Sequence, residues 1–225
     1  VMGYTGMIRD GLLGEINPEQ EKALEKVISR ARDQLTMISS ILQLTQLEAA
    51  GGKVEGREVS LQDLLDDLKS SYAIPLGKEL SLIWDCPFDL PVIHADGEKL
   101  KHILQNPVNN AIKFTDRGTV TISARYLDGA GMRETGAGNP EGNGRNGLVQ
   151  FKVADTGVGI AKDHFSLIFE RFQQVDSSET RLHGGVGIGL YIVKKFTEML
   201  GGKIGVESEV GKGSTFTVTI PCEQS

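Results

Sequence analysis

The spacing of apolar residues predicts a long helix near the start of the chain. No Gly or Pro occurs between Glu19 and Ala49. Within that span apolar or small residues recur at alternating steps of four and three, at Leu24, Ile28, Ala31, Leu35, Ile38, Leu42 and Thr45. This heptad spacing is typical of a helix that packs one narrow seam against other helices.

The residues before this helix predict a second, antiparallel helix. Gly14 to Asn17 interrupts the helical pattern, and Pro18 suits the first turn of a new helix. Val1 to Leu13 is therefore expected to end an earlier helix, which makes residues 1–50 an antiparallel hairpin. A lone hairpin leaves much of so long a seam uncovered, so we expect a homodimer whose hairpins form a four-helix bundle. The alternative is that the seam packs on the rest of this chain.

After Gly51 the pattern changes to short β-rich runs and amphipathic helices. We place a linker at 51–58 and a second domain at 59–225. Ser60 and Asp63 form a capping-box pattern that predicts a helix. Runs typical of strands lie at 80–84, 119–126, 149–154, 202–206 and 215–220, and helical patterns lie at 97–114 and 187–200. Strands joined mostly by short turns, with helices to cover one face, predict an α+β fold built as a two-layer α/β sandwich.

Composition narrows the functional classes. A net charge of −6 without a long run of Lys or Arg argues against a nucleic-acid partner. No apolar stretch reaches about 18 residues and no leader is recognisable, so we expect no membrane contact within these residues. We expect a cytoplasmic location. A longer parent chain with a membrane anchor is compatible with both expectations. Cys86 and Cys222 lack the spacing of a zinc site. Residues 128–147 are polar and glycine-rich, and we assign no chemistry to them.

Two amides and a lysine form the first candidate site. Asn106, Asn110 and Lys113 follow one another at i, i+4 and i+7, which places them on one stripe of the predicted helix. Amide oxygens suit Mg²⁺, and a lysine neutralises phosphate charge. The stripe is therefore a candidate metal and phosphate site. A solvated polar face is the alternative.

The second candidate is the segment Asp155 to Ile160, which follows an apolar run. A strand that ends in Asp presents a carboxylate at the edge of a sheet, and Gly157 and Gly159 let the backbone turn and approach a ligand. An adenine amino group is a suitable donor to this carboxylate. The alternative is a plain turn.

A glycine-rich segment, Gly184 to Leu190, opens the predicted helix 187–200. Glycines at a helix start expose N–H groups at the positive end of the helix dipole, which suits a triphosphate. The segment is not a P-loop, because the GxxxxGK[ST] pattern is absent, and no strand precedes it as a dinucleotide fingerprint requires. Phe165 to His183, first aromatic and then polar, is typical of a hinged lid over a nucleotide.

These segments in this order resemble the sensor histidine kinases of two-component systems, within the wider group that includes gyrase, the heat-shock chaperone ATPases and mismatch-repair proteins. The likeness covers essentially the whole chain. It is carried by five boxes: Asn106 to Thr115, Asp155 to Ile160, Phe169 to Phe172, Gly184 to Leu190 and Gly211 to Phe216. The resemblance implies an ATP-dependent kinase that passes the γ-phosphoryl group to a histidine, for relay to the receiver domain of a response regulator.

The resemblance also implies roles for individual residues. Asn110 would ligate Mg²⁺, while Asn106 and Lys113 would act in catalysis and Lys113 would also hold phosphates. Asp155 would bind the adenine, supported through water by Ser214 or Thr215. The other nucleotide contacts that it implies are Gly157, Gly159, Ile160, Phe172, Gly185, Gly187, Gly189 and Leu190.

Some positions depart from the family. Pro107 stands inside the helix where leucine is usual, so a kink that displaces Asn106 or Asn110 is an open alternative. Val186 replaces a common threonine, and Gln174 a common arginine. These departures keep a second hypothesis open, in which the chain is a catalytically impaired pseudo-kinase or a nucleotide-regulated dimerisation module.

The phosphoacceptor is missing from the sequence. None of the four histidines lies in the family's His-Glu/Asp-x-x-x-Pro segment. The hairpin is therefore expected to be truncated before that histidine, and these residues alone are expected not to phosphorylate themselves. Asn106 stands where gyrase-like ATPases carry the glutamate that activates water, which favours transfer over hydrolysis.

Overall fold

The computed structural model describes residues 1–49, 54–74, 77–127, 146–173 and 187–223. Its elements in chain order are α1 Met2–Arg9, α2 Pro18–Ala49, β1 Arg57–Ser60, α3 Leu61–Ser71, β2 Glu79–Asp85, β3 Val92–Ala95, α4 Gly97–Phe114, β4 Arg117–Leu127, β5 Asn146–Asp155, α5 Gly189–Met199, β6 Lys203–Glu209 and β7 Gly213–Glu223. Two short 3₁₀ turns, Lys162–His164 and Leu167–Phe169, lie between β5 and α5. Most of the polar segment 128–147 lies outside the described residues.

The two N-terminal helices meet at a turn whose ends are set locally. α2 begins at Pro18, as predicted, because Asn17 and Gln20 cap it reciprocally with two backbone hydrogen bonds of 2.8 and 2.9 Å. The first helix is shorter than predicted and ends at Arg9 rather than Leu13. The reason is that Gly11 adopts a φ of 73°, a left-handed conformation that ends a helix.

The heptad seam of α2 is covered along only part of its length. α1 contacts α2, and Ile28 is buried. Farther along the seam, Leu35 and Ile38 are each 54% exposed and Leu42 is 56% exposed. The described part of the chain therefore leaves the second half of the seam uncovered.

Five strands form the main sheet in the order β2-β4-β5-β7-β6. β2 is parallel to β4, and the other neighbours are antiparallel. A separate antiparallel pair joins β1 to β3. Both strands of this pair are only four residues long, and neither was predicted from the sequence. β1 begins at Arg57, inside the segment predicted as the linker.

The helices cover one face of the main sheet. α3, α4 and α5 contribute to one apolar core with β3 and the inner face of the sheet; its largest fully buried members include Leu61, Leu68, Ile93, Leu100, Ile103, Leu104, Phe151, Ile188, Ile192 and Ile220. The other face carries partly or fully exposed polar residues such as Thr121, Lys152 and Thr217. This arrangement confirms the predicted α+β, two-layer sandwich. Among the described residues, no helix combines the length and apolar character needed to cross a membrane.

Candidate functional site

α4 carries the predicted stripe of amides and lysine, and Asp96 fixes its start. Asp96 accepts from the backbone N–H of Lys99 at 3.1 Å and of Glu55 at 3.2 Å, and it pairs with the Lys99 ammonium. Burial acts to raise the pKa of Asp96, but the hydrogen bonds from Lys99 and Glu55 outweigh it and leave that pKa below its ordinary value. α4 then continues as one helix through Pro107, although proline cannot donate to the carbonyl of Ile103.

Asn106 lies against the first residue of α5. Its Nδ2 donates to the carbonyl oxygen of His102 at 3.0 Å. Its Oδ1 lies so near Gly189 that a Cβ added to this glycine would be 2.7 Å away. Only a residue without a side chain fits at Gly189 with Asn106 in this position. Pro107 therefore does not keep Asn106 from reaching the N-terminus of α5.

Asn110 and Lys113 lie farther along the same stripe, and both are half-buried. Within the described residues Asn110 makes no side-chain hydrogen bond, so its amide oxygen is available to a ligand. The Nζ atom of Lys113 lies 4.9 Å from the centre of the Phe114 ring. In addition to Asn106, the stripe thus contains the amide oxygen of Asn110 and the ammonium group of Lys113.

The end of α4 is in direct backbone contact with the segment 155–160. The carbonyl oxygen of Phe114 accepts from the N–H of Val158 at 3.3 Å. A Cβ on Gly157 would collide with that same carbonyl. The glycine predicted from the sequence is therefore required by how closely the helix end and the loop approach each other.

Asp155 ends β5 and uses one carboxylate oxygen inside the protein. Its Oδ1 accepts from the N–H of Gly157 at 2.9 Å and of Ser214 at 3.2 Å. Among the described residues, Oδ2 has no hydrogen-bond partner. Burial raises the pKa of Asp155, and the two N–H donors only partly offset that rise. Oδ2 is therefore the atom that can accept a hydrogen bond from a ligand.

Of the predicted pair Ser214 and Thr215, the structure brings only Ser214 to Asp155. Ser214 is buried and donates its N–H to the carboxylate. Successive side chains of a strand face opposite sides of the sheet. Thr215, which pairs with Ala154 and Glu207, therefore faces the open side of the sheet.

Ser208 is a residue of this region that sequence reasoning missed. Its Oγ accepts from the N–H of Ile160 at 2.7 Å and donates to the carbonyl of Gly213 at 2.8 Å. It also lies 2.9 Å from the Oγ of Ser214. The feature that reveals it is the register of β6 and β7, which places Ser208 directly opposite Ser214. Ser208 thereby joins the loop that follows Asp155 to the β6–β7 hairpin.

The glycines Gly159 and Gly187 serve turns with no space for a side chain. Gly159 has a φ of 70°, and a Cβ there would collide with the carbonyl of Glu209. Gly187 also has a φ of 70°, and a Cβ there would collide with the carbonyl of Gln173. Both positions tolerate glycine far better than any other residue.

Phe172 and Gly187, which flank residues 174–186, are hydrogen bonded to each other. The N–H of Phe172 donates to the carbonyl of Gly187 at 3.0 Å, and Phe172 itself has a φ of 60°. Next to it, the guanidinium of Arg171 lies over the ring of Tyr191 at 4.7 Å and donates to its hydroxyl at 2.6 Å. The predicted residue Gly185, the departures Val186 and Gln174, and the second half of the predicted lid lie outside the described residues.

At the N-terminus of α5, the first backbone N–H groups have no acceptor among the described residues. The first N–H groups of an α-helix, here at Gly189, Leu190 and Tyr191, have no acceptor within the helix. Ile188, just before them, is buried in the core, which fixes this end of α5. Three predicted parts thus lie together, namely the stripe of α4, the carboxylate of Asp155 and the start of α5. The contact of Asn106 with Gly189 joins α4 to α5, and the hydrogen bond of Phe114 with Val158 joins α4 to the loop after Asp155.

Comparison with known proteins shows the family of the chain. Residues 95–224 match the family described as histidine kinase-, DNA gyrase B-, and HSP90-like ATPase. The autoinducer 2 sensor kinase/phosphatase LuxQ of Vibrio vulnificus is 32% identical over 209 residues, which are 92% of this chain and 23% of LuxQ. The sensor histidine kinase AruS of Pseudomonas aeruginosa is 34% identical over 221 residues, 96% of this chain and 20% of AruS. The chain thus spans less than a quarter of either relative.

Solved structures agree with the sequence relatives. Full-length ShkA in complex with AMPPNP has a TM-score of 0.68 at 29% identity and covers 100% of this chain and 43% of ShkA. The histidine kinase AdeS of Acinetobacter baumannii has a TM-score of 0.61 at 18% identity over 98% of this chain and 92% of AdeS, a likeness of fold alone. The chain belongs to the histidine kinase-, DNA gyrase B-, and HSP90-like ATPase family and carries the ATPase domain of a sensor histidine kinase.

Proposed function

We propose that this chain binds Mg-ATP and is the kinase core of a two-component system, which transfers the γ-phosphoryl group to a histidine for relay to a response regulator. The observation that supports it most directly is that α4 touches both halves of the site. Asn106 lies against Gly189 at the start of α5, and Phe114 is hydrogen bonded to Val158 beside Asp155. A nucleotide that lies along α4 would reach the base site and the helix N-terminus together.

Asp155 is the proposed adenine acceptor. Two backbone donors hold its Oδ1, so the carboxylate is oriented before a ligand arrives, and Oδ2 is the oxygen proposed to accept from an amino group. Ser214, and through it Ser208, completes the support of this carboxylate. ShkA, which covers the whole of this chain, was solved with AMPPNP, which supports a nucleotide at the corresponding place here.

The phosphates are proposed to lie between α4 and α5. The first-turn N–H groups of α5 would donate to phosphate oxygens, aided by the helix dipole. Lys113 would add a positive charge. The amide oxygen of Asn110, half-buried and without a partner in the described residues, fits a Mg²⁺ ligand. When bound, Mg²⁺ neutralises phosphate charge and shares its coordination shell among amide, phosphate and water oxygens.

Asn106 supports phosphoryl transfer rather than hydrolysis. Its Nδ2 donates to the carbonyl of His102, and its Oδ1 faces Gly189. A neutral amide cannot accept a proton from water at ordinary pH, so Asn106 is not a general base. Orientation of an incoming nucleophile is then the main contribution that the site can make to transfer.

The acceptor histidine is proposed to come from outside these residues. His102 is half-buried in α4, its ring lies 6.0 Å from that of Phe196, and burial lowers its pKa. Neither it nor His94 nor His164 has the sequence context of a phosphoacceptor. The uncovered part of the α2 seam supports a homodimer through the helical hairpin, which would bring a second chain close to the site.

A labelling experiment tests the proposal. The 225-residue chain, incubated with γ-radiolabelled ATP and Mg²⁺, should stay unlabelled. The same chain, extended at its N-terminus to include a His-Glu or His-Asp pair, should acquire a label that acid removes, because phosphohistidine is acid-labile. The extended chain with Asp155→Asn is the matched control and should label poorly. Acid-labile label on the 225 residues alone contradicts the external acceptor, and an unlabelled extended chain contradicts the kinase and favours the pseudo-kinase.

A further inference from the structure

The ammonium of Lys78 closes the C-terminal end of α4. Its Nζ donates to the carbonyl oxygens of Ile112, Lys113 and Thr115 at 2.7, 2.9 and 3.1 Å, and it lies 3.1 Å from the carboxylate of Asp116. An ammonium has three N–H donors. All three therefore have backbone acceptors, and the carboxylate balances the charge.

The sheet brings Lys78 to this position. β2 and β4 pair in parallel with Glu79 opposite Arg117, so the residue before β2 lies beside the residues that follow α4. The N–H of Glu79 donates to the carbonyl of Asp116 at 3.0 Å, which fixes the same junction through the backbone. Only 16% of the Lys78 side chain is exposed. Lys78 is thus built into the fold rather than lying on the surface.

A helix end of this kind needs such a partner. The last carbonyl groups of a helix have no intrahelical donor and carry the negative end of the dipole. Here Ile112 and Lys113 are among those carbonyls, and Thr115 follows the helix fully buried. Removal of the ammonium would take this donor from three carbonyl oxygens, and the last turn of α4 would have to shift or fray.

The end of α4 holds two parts of the nucleotide site. Lys113 lies in its last turn, and the carbonyl of Phe114 binds the N–H of Val158. Gly157 approaches this end so closely that a Cβ there would be 2.8 Å from the Oγ1 of Thr115. A shift of the helix end would therefore be transmitted directly to the loop that orients Asp155.

We propose that Lys78 is a positioning residue of the nucleotide site: by capping α4 it sets both the phosphate-binding Lys113 and the loop that carries Asp155. The inference rests on the proposed function, since it concerns the same site. Lys78 belongs to neither the proposed base site nor the proposed phosphate site. It acts through the helix end.

Lys99 supplies a matched control at the opposite end of the same helix. Its ammonium pairs with Asp96 at the start of α4, and 18% of its side chain is exposed. Lys78→Met and Lys99→Met thus each remove one half-buried, ion-paired ammonium that lies at an end of α4. Only the first variant removes an ammonium from the end that contacts Val158.

The experiment combines ADP affinity with amide exchange of the ligand-free protein. Lys78→Met should weaken ADP binding, measured by calorimetry, by about three- to thirtyfold, whereas Lys99→Met should leave it within about twofold. In the free protein, Lys78→Met should speed exchange at Val158 and over 156–159 while the central strands keep their protection. A purely structural role would lower the unfolding temperature in both variants without this local pattern. Lys78→Arg keeps the charge, but the N–H donors of its planar guanidinium have fixed directions. Its ADP affinity and its exchange rate at Val158 should therefore lie between those of Lys78→Met and of the parent.

The outcomes test the role of Lys78 and the proposed function separately. Unchanged ADP affinity and unchanged exchange at Val158 in Lys78→Met overturn the role of Lys78. If that variant does not fold, the same result in Lys78→Arg overturns it. A parent chain that binds no ADP overturns the proposed function, and exchange at Val158 then still decides whether Lys78 holds the loop.

Discussion

The hydroxyl groups of Ser208 and Ser214 lie 2.9 Å apart, directly across the β6–β7 pair. Ser208 donates its single proton to the carbonyl of Gly213, which can only accept, so Ser214 donates in the contact between the two hydroxyls. The N–H of Ser214 is already bound to Asp155. The proton of Ser214 Oγ is thus used inside the protein, and Asp155 Oδ2 is the acceptor proposed for an adenine amino group.

Substitution of Ser208 is predicted to weaken both the fold and the base site. Ser208→Ala leaves the N–H of Ile160 and the hydroxyl of Ser214 without their acceptor, which should lower the free energy of unfolding by about 1–3 kcal/mol. Freed to rotate, Ser214 can turn its donor toward the amino group, so adenosine affinity should fall. Calorimetric titration with adenosine and urea denaturation measure the two effects. Ser70→Ala, which removes an exposed hydroxyl with one local hydrogen bond, is the control, and equal adenosine affinities in the two variants would contradict this role.

Asp155→Asn is predicted to fold normally and bind adenine poorly. The amide oxygen of asparagine can keep the hydrogen bonds from Gly157 and Ser214, which leaves the amide nitrogen in the place of Oδ2. A donor would then face the donor of the adenine amino group. Adenosine affinity should fall, while inosine, which has an oxygen in place of the amino group, should lose less. Competition between the two nucleosides measures this, and an unchanged preference for adenosine would show that the base does not bind at Asp155.

Adenosine binding is predicted to depend on pH through Asp155. Burial raises the pKa of this carboxyl despite the N–H donors of Gly157 and Ser214. Only the ionised form accepts at both oxygens, so affinity should fall as the pH drops through that raised pKa, starting above the ordinary Asp value of about 3.9. The free energy of unfolding depends on pH in the opposite direction. The stability that Asp155 contributes is present below the pKa it has in the unfolded chain, and it is lost as the pH rises through its pKa in the folded protein.

Calorimetry with adenosine, which carries no phosphate to titrate, from neutral pH to about pH 4 tests this prediction. Asp155→Asn should bind weakly with no such dependence. A parent affinity that stays constant until the protein unfolds would contradict an ionised carboxylate as the acceptor.

The sequence predicted the elements whose ends depend on neighbouring residues. α4 occupies the predicted span 97–114, because Asp96 caps its start and its apolar face is regular. α2 begins at the predicted Pro18 for the same kind of reason. The first helix was overextended to Leu13, because the apolar residues there continue a pattern that the left-handed Gly11 interrupts.

The missed residues depend on contacts between distant strands. Ser208 is recognised only from the β6–β7 register, and Lys78 only because parallel pairing of β2 with β4 brings it to residues more than 30 positions away. Nothing in the local pattern distinguishes either side chain from a surface Ser or Lys. The glycines were predictable as a class, but the partner of each, such as Asn106 for Gly189, follows from packing.

The uncovered seam of α2 is predicted to mediate dimerisation. Ile38 is 54% exposed at a seam position, whereas Met37, 43% exposed, lies off the seam. Ile38→Lys should therefore shift the chain toward monomer, because it places a charge in an interface that buries apolar surface. Met37→Lys should leave the association unchanged. Analytical ultracentrifugation over a concentration series distinguishes them, and identical behaviour of both variants would mean that the seam is not the interface.

Asn110→Ala is predicted to remove most of the metal-dependent part of nucleotide affinity. Asn110 lies one turn beyond Asn106, and its amide oxygen has no partner within the described residues. Loss of one oxygen ligand and its positioning should cost about 1–3 kcal/mol of Mg-ADP binding, while ADP without Mg²⁺ should bind almost as it does to the parent. Asn109→Ala is the matched control, because Asn109 is exposed and its Oδ1 instead accepts from the hydroxyl of Tyr72 at 3.0 Å. Calorimetry with and without Mg²⁺ gives the metal-dependent increment for each variant, and an increment in Asn110→Ala equal to that of the parent would assign the metal to another ligand.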